Sequence, residues 1–236
     1  LTYSESTSVF SELVDYLRNE RVARLSVTLP PVIFDRSPDQ TKILSLQENG
    51  FELRNRDITS AVSLKGKEID GAISSRARNM VRKAEKQGVS VRRSAPLEDF
   101  QAVLDATFRK HGTSPTHSPE ELKLLMELCP GEILVDVAYQ DETPVAGICC
   151  FGYNSRVNSS FYFANPPEYQ HLQGLSLLVV NALKQSRELG YEWFDFGLSS
   201  VQMKGRPGVF RFKESFNSSG WFRESYEWSE KTNQHK

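Results

Sequence analysis

Cysteine and histidine are scarce, three and four in 236 residues, and no Cys-x-x-Cys spacing occurs. An odd, sparse set of thiols excludes a disulfide-stapled scaffold, and nothing has zinc-ligand spacing, so no metal is expected. Cys149 and Cys150 are adjacent in a β-rich segment, where successive side chains point to opposite faces. They read as reduced, structural thiols of a cytoplasmic protein. No apolar run approaches the roughly 18 residues of a membrane-spanning helix. The N-terminus has no basic region leading into an apolar stretch, so no secretory signal is expected. The net charge of −1 says nothing about nucleic acid or membranes, and only the local distribution of charge is informative. No repeat of solenoid period is visible.

What is present is ordinary globular composition, 39% hydrophobic and 25% charged. Phe10, Leu13, Val14 and Leu17 recur at helical spacing and predict a helix over 8–20. A strand is expected over 22–29, stopped by Pro30 and Pro31, which cannot donate ladder hydrogen bonds. A helix over 39–49, closed by Gly50, and a strand over 58–64 follow. Residues 1–64 therefore read as the closing part of one α/β unit, and residues 65–236 as a second, complete one.

The second unit opens on a basic helix that stops at Gly88. A strand is expected over 89–93 and helices over 97–110 and 119–128, the latter announced by Ser118 and Pro119. Strands over 133–139, 145–153 and 157–164 precede a long helix over 175–189. A strand over 191–197 is apolar on both faces and so central. A short helix over 208–217 and a strand over 221–228 complete the chain. From residue 89 the order is β-α-α-β-β-β-α-β-α-β, which predicts an α/β (α+β) fold with a mixed sheet flanked by helices.

That order resembles the GNAT acyltransferase fold, and three segments narrow the resemblance. Residues 75–89, Ser-Arg-Ala-Arg-Asn-Met-Val-Arg-Lys-Ala-Glu-Lys-Gln-Gly-Val, are similar to the Arg-x-x-Ile-Arg-Lys-Ala-x-Lys-x-Gly-Val element of the Fem peptidoglycan-bridge aminoacyltransferases. Residues 193–197, Trp-Phe-Asp-Phe-Gly, resemble their Phe-Asp-Phe-Gly strand. Residues 208–216, Gly-Val-Phe-Arg-Phe-Lys-Glu-Ser-Phe, resemble their Phe-Lys-x-x-Phe element. The resemblance implies two GNAT-like units in tandem, the first represented here only by its end. It also implies an N-acyltransferase that forms an amide bond, with aminoacyl-tRNA as donor, an amine acceptor such as a peptidoglycan precursor, and no tightly bound cofactor. Two alternatives stay open: an acetyltransferase using acyl-CoA, and a non-catalytic GNAT-like module that binds an anionic partner.

Candidate site residues fall in five places. GNAT proteins that bind acyl-CoA carry Gln/Arg-x-x-Gly-x-Gly/Ala before their long helix, because small residues let helix-start N–H groups approach a pyrophosphate. Here His171 precedes Leu172, Gln173, Gly174, Leu175 and Ser176. The match is partial, so Gln173, Gly174, Leu175 and Ser176 are either a donor-binding loop or a plain turn into a helix. Between Lys65 and Arg93 stand nine Lys and Arg against three Asp and Glu. Arg78, Arg82 and Lys86 form an i, i+4, i+8 stripe suited to phosphate, whether of tRNA or of a nucleotide-linked precursor, or to plain solvation. Lys213, by the resemblance, sits beside the transferring carbonyl with Phe212 next to it, where a cation stabilises the oxyanion; as a surface lysine it would pair with Glu214. Asp195 is an acid in an aromatic strand, either a general base or a carboxylate tying down a loop. Tyr162 either protonates a leaving group or packs in the core.

Overall fold

The structure, a computed structural model, describes residues 1–230 except 38 and 67, without the side chain of His111. The elements are α1 (Tyr3–Asn19), β1 (Arg24–Thr28), α2 (Thr41–Glu48), β2 (Glu52–Ser63), α3 (Ile69–Ala72), α4 (Ser75–Lys86), β3 (Val89–Arg92), α5 (Leu97–His111) and α6 (Pro119–Leu128). There follow β4 (Ile133–Gln140), β5 (Thr143–Gly152), β6 (Val157–Ala164), α7 (Gly174–Glu188), β7 (Trp193–Leu198), β8 (Ser200–Val201), β9 (Lys204–Gly205), α8 (Pro207–Glu214) and β10 (Ser219–Ser229). Among the described residues no helix is long and apolar enough to cross a membrane.

The chain divides into two compact units. The first comprises residues 1–59, 198–207 and the described residues from Gly220 on. The second comprises residues 60–197 and 208–219. Strand β2 gives its first eight residues to one unit and its last four to the other, and the last strand belongs with the N-terminal residues.

In the first unit the strand order is β1-β10-β2, with β1 and β10 antiparallel from Arg24↔Ser229 to Thr28↔Ser225. Its core is Val14 and Leu17 of α1, Leu46 of α2, Phe51, Tyr226 and Trp228. Helix α1 starts well before residue 8, because Thr2 and Glu5 form a reciprocal capping box. Strand β2 starts at Glu52, six residues before the expected 58. Its charged opening finds cross-strand partners, Arg54 with Glu227 and Arg56 with Glu224. The β8–β9 hairpin was not expected. Its turn puts Gln202 and Met203 at φ 52° and 60°, and their N–H groups, each 3.1 Å away, donate to the buried carboxylate of Asp57.

In the second unit the order is β7-β6-β5-β4-β3. Strands β3 to β6 pair antiparallel, and β6 with β7 parallel, so the sheet is mixed. One face is covered by α4 and α7 through Ala77, Leu178, Val179 and Leu183. The other is covered by α5 and α6 through Phe100, Val103, Leu104 and Leu122. Helix α6 begins at its expected residue, with Ser118 as cap and Pro119 in the first turn. Every residue singled out above as a site candidate lies in this unit.

Candidate active site

Strands β6 and β7 pair in parallel over only three positions, Val157↔Trp193, Asn158↔Phe194 and Ser159↔Asp195. Beyond them β6 runs on to Ala164 and β7 to Leu198 without being ladder partners. Asp195 stands at this parting. One carboxylate oxygen accepts from Ser159 Oγ at 3.1 Å and the other from the Gly197 N–H at 3.0 Å. The second bond closes a tight turn at Gly197, whose φ of 74° suits glycine.

Helix α8 brings Lys213 to the same place. Its Nζ donates to the Gly197 carbonyl at 2.8 Å, and the side chain is only 4% exposed. Burial pushes its pKa down to about 8, and the charge of Asp195 opposes that fall. The helix is anchored by two rings. Phe212 lies 6.4 Å from Phe163, Phe216 lies 6.1 Å from Phe196, and the two rings are 5.1 Å apart. Lys213, Phe212 and Asp195 are therefore gathered at one point. Lys213 is buried, rather than a surface partner of Glu214.

Tyr162, farther along β6, packs in the core under α5, with ring centroids 6.4 Å from Phe100 and 6.2 Å from Phe108. Its hydroxyl oxygen lies 3.0 Å from both the backbone nitrogen and Nδ1 of His117. His117 had no motif to mark it. Its ring lies 5.1 Å from Phe161 and 6.2 Å from Phe151, at the edge of an aromatic cluster that only the fold assembles.

At the start of α7, Gln173 takes a left-handed backbone, φ 61°, and its Nε2 donates to the Gln170 carbonyl at 3.0 Å. A Cβ on Gly174 would meet Ala146 and Val145 at 3.3 Å and Ala138 at 3.4 Å. Close approach of α7 to β4 and β5 therefore accounts for this glycine without a ligand. Leu175 and Ser176 are buried, and Ser176 Oγ meets Met80 Sδ at 3.7 Å.

The basic helix α4 carries two rows of cations. In the row read from sequence, Arg78 turns its guanidinium back to the Ile73 and Asp70 carbonyls, while Arg82 and Lys86 are exposed. A different row meets α7. Ser75, Arg76, Asn79, Met80 and Lys83 line, with Gln173, an open cleft of about 620 Å³. The i, i+3, i+4, i+7 spacing of residues 76, 79, 80 and 83 was the available signal. Only the contact of Met80 with Ser176 shows that this row faces the helix start.

Comparison with known proteins bears on the fold that carries these residues. The model of the family described as "Acetyltransferase (GNAT) domain" matches residues 73–214, more than half of the chain. No curated protein matches. Among solved structures, FemX superposes with a TM-score of 0.75 at 13% identity, covering 97% of this chain and 78% of its own. The C-terminal domain of a candidate lysylphosphatidylglycerol synthetase from Agrobacterium fabrum gives 0.71 at 14%, covering 95% of this chain and 73% of its own. A tandem GNAT protein from the clavulanic acid biosynthesis pathway gives 0.55 at 10%, covering 94% and 69%. The chain belongs to the GNAT family of acyltransferases, on a fold similar to that of FemX.

Proposed function

We propose that this acyltransferase forms an amide bond in the cytoplasm by passing an aminoacyl group from aminoacyl-tRNA to an amine of a cell-envelope acceptor such as a peptidoglycan precursor. The observation that carries the reading is the buried ammonium of Lys213, bonded to Gly197 and facing Asp195 where β6 and β7 part. In such a transfer the acceptor amine attacks the ester carbonyl carbon. The carbonyl oxygen takes the negative charge, the C–O bond to the ribose breaks, and the departing hydroxyl takes a proton. A fixed cation in a dry site stabilises that oxyanion without reorganisation. With a pKa near 8, Lys213 is largely protonated at neutral pH, as the role requires. Asp195 holds the Gly197 turn and the field around Lys213; a role for it as general base belongs to the same proposal. Exposed Arg82 and Lys86 suit the phosphates of a tRNA. The first unit, on this reading, is the end of another GNAT-like fold, as the tandem neighbour allows.

The cleft between α4 and α7 favours a second reading, with acyl-CoA as donor. Arg76 and Lys83 flank the start of a 15-residue helix, where a pyrophosphate is electrostatically favoured. Calorimetry with acetyl-CoA, beside a transfer assay over a panel of aminoacyl-tRNAs, separates the two. Turnover of an aminoacyl-tRNA with negligible acetyl-CoA binding is the expected result. Micromolar acetyl-CoA affinity would replace the aminoacyl donor by the thioester.

A further inference from the structure

The second unit holds a further cavity, of about 550 Å³, at the Trp193 end of β7. Pockets that take small molecules measure roughly 300–1,000 Å³. Ile69, Leu183, Trp193 and Phe216 give this one apolar walls, and Lys65, Asn217, Ser218 and Ser219 give it polar ones. The stretch from Lys65 to Ala72 contributes to the wall. Buried Ile69 anchors it in the core. Side-chain pairs hold the rest: Lys65 with Glu192 at 2.8 Å, Asp70 with Lys184 at 2.8 Å, and Glu68 with Arg187 at 3.2 Å. The cavity is therefore built into the fold rather than opened by a ligand.

Two features of the polar side point to an anion. Ser218 Oγ is buried with no hydrogen-bond partner among the described residues. Roughly nine in ten buried polar groups have one. A hydroxyl can donate, so Ser218 offers a bond to an acceptor that enters the cavity. Among the described residues, Lys65 is the charged one that lines the cavity. It shares its carboxylate partner, Glu192, with Arg156, whose Nη2 lies 2.9 Å from the same oxygen. A cation that shares its counter-ion keeps attraction for a second anion. Phe216, on the apolar side, also belongs to the Lys213 centre. Its ring lies 5.1 Å from that of Phe212, and its N–H donates to the Lys213 carbonyl at 3.0 Å.

From this geometry we infer that the cavity is a binding site for a small anionic amphiphile, a single carboxylate carried on an apolar body. The body lies among Ile69, Leu183, Trp193 and Phe216. The head accepts from Ser218 Oγ and is attracted by Lys65. The inference goes beyond the transfer reading and does not rest on it. Through Phe216 an occupant bears on the helix that carries Lys213, so the site is placed to tune that centre.

The test needs neither donor nor acceptor. The labelled chain is titrated by NMR with octanoate, with octylammonium as the cation of the same chain length, and with 1-octanol as the neutral counterpart. The chain has three tryptophans. Trp221 and Trp228 belong to the first unit, so their indole signals are internal controls. Octanoate should move the Trp193 indole signal saturably and leave the other two in place, with octanol weaker and octylammonium weakest. Lys65→Ala should weaken octanoate by up to about fivefold, the scale of an exposed ion pair, and leave octanol unchanged. Gly71 and Ala72 line the cavity, and a Cβ on Gly71 meets nothing within 4 Å, so a larger side chain can be added there without displacing the fold. Gly71→Leu or Ala72→Leu should then abolish octanoate binding. No movement of Trp193, equal movement of all three indoles, or binding that survives both substitutions would overturn the site. Octylammonium bound as tightly as octanoate would overturn the assignment of the head. The Lys213 Cε signal should move with octanoate in the parent chain and stay still in the variant that no longer binds it. A Cε signal that never moves while Trp193 does would overturn the link to the centre.

Discussion

The Lys213 centre and the α4–α7 cleft are two regions of one unit built on opposite physical terms. At the centre a cation and a carboxylate are buried, and each oxygen of Asp195 is engaged. In the cleft the cations of Arg76 and Lys83 stand in open solvent beside a helix start. A buried charge keeps its full effect on a reacting oxygen but costs stability, whereas an exposed one costs nothing and is screened by salt. The centre should therefore show itself through rate and through pH-dependent stability, and the cleft through salt-sensitive binding.

The largest expected effect is on rate. Lys213→Ala should lower turnover of an active donor by about a hundred- to a thousandfold, the usual cost of one oxyanion donor. Lys213→Arg should recover only part, because the guanidinium fork differs in reach and shape. Parent-rate turnover by Lys213→Ala would remove the lysine from the chemistry and erase the contrast with the cleft.

The second effect is on stability, and its sign follows from the depressed pKa. Below about pH 8 both folded and unfolded chains hold the Lys213 proton, so the cost of the buried ammonium is constant. Between about 8 and 10.5 the folded chain has released it while the unfolded chain still holds it, so the stability contributed by this group rises with pH. The full difference corresponds to about 3 kcal/mol. Urea unfolding at pH 7 to 10 should show this rise in the parent relative to Lys213→Met, which has no proton to lose there. Parallel pH profiles for the two proteins would mean that Lys213 is solvated.

The third effect belongs to the cleft. For a phosphate-bearing donor, Arg76→Ala and Lys83→Ala should each raise the Kd about tenfold or more, since each lost charged hydrogen bond is worth about 1.5–3 kcal/mol. Arg82→Ala with Lys86→Ala should do little to a CoA-type donor, but should flatten the salt dependence of tRNA binding by about one unit per lost phosphate contact. Equal effects of the two pairs on the same donor would show that α4 acts as one diffuse basic face.

The sequence was most legible where local chemistry decides. The Ser118–Pro119 start of α6 and the bounds of β6 fell where capping and alternation put them. The Phe-Lys element and the Asp-Phe-Gly strand, each marked by resemblance alone, meet in space through Lys213 and Gly197. What escaped depends on pairing across the fold. The charged start of β2 becomes strand only because β10 supplies counter-charges, and the β8–β9 turn has no Asn-Gly or Asp-Gly signal because Asp57, far away in sequence, holds it. Periodicity put a cationic stripe on α4 but could not say which row α7 would meet. His117 joins Tyr162 only where β5 and β6 bring three rings against it.

The smallest effect tests whether the cleft is a degraded phosphate cradle or a plain turn. Gln173 holds φ 61° without being glycine, and its side chain lies in the cleft with Nε2 tied to the Gln170 carbonyl. A left-handed backbone costs a residue with a Cβ about 1–2 kcal/mol, part of which glycine returns through its freer unfolded chain. Gln173→Gly should therefore raise the melting temperature by about 1–3 °C. It also removes the one side chain that the α7 start places in the cleft. If a cradle remains beneath it, acetyl-CoA affinity should increase severalfold, most at low salt, and Arg76→Ala should cancel the gain. If the melting temperature rises while acetyl-CoA binding is unchanged, the bend at Gln173 serves only to lead the chain into α7. Gly174 is then explained by its packing on Ala146 and Val145, and a phosphate-bearing donor must be held elsewhere, for which the exposed Arg82 and Lys86 are the first residues to test.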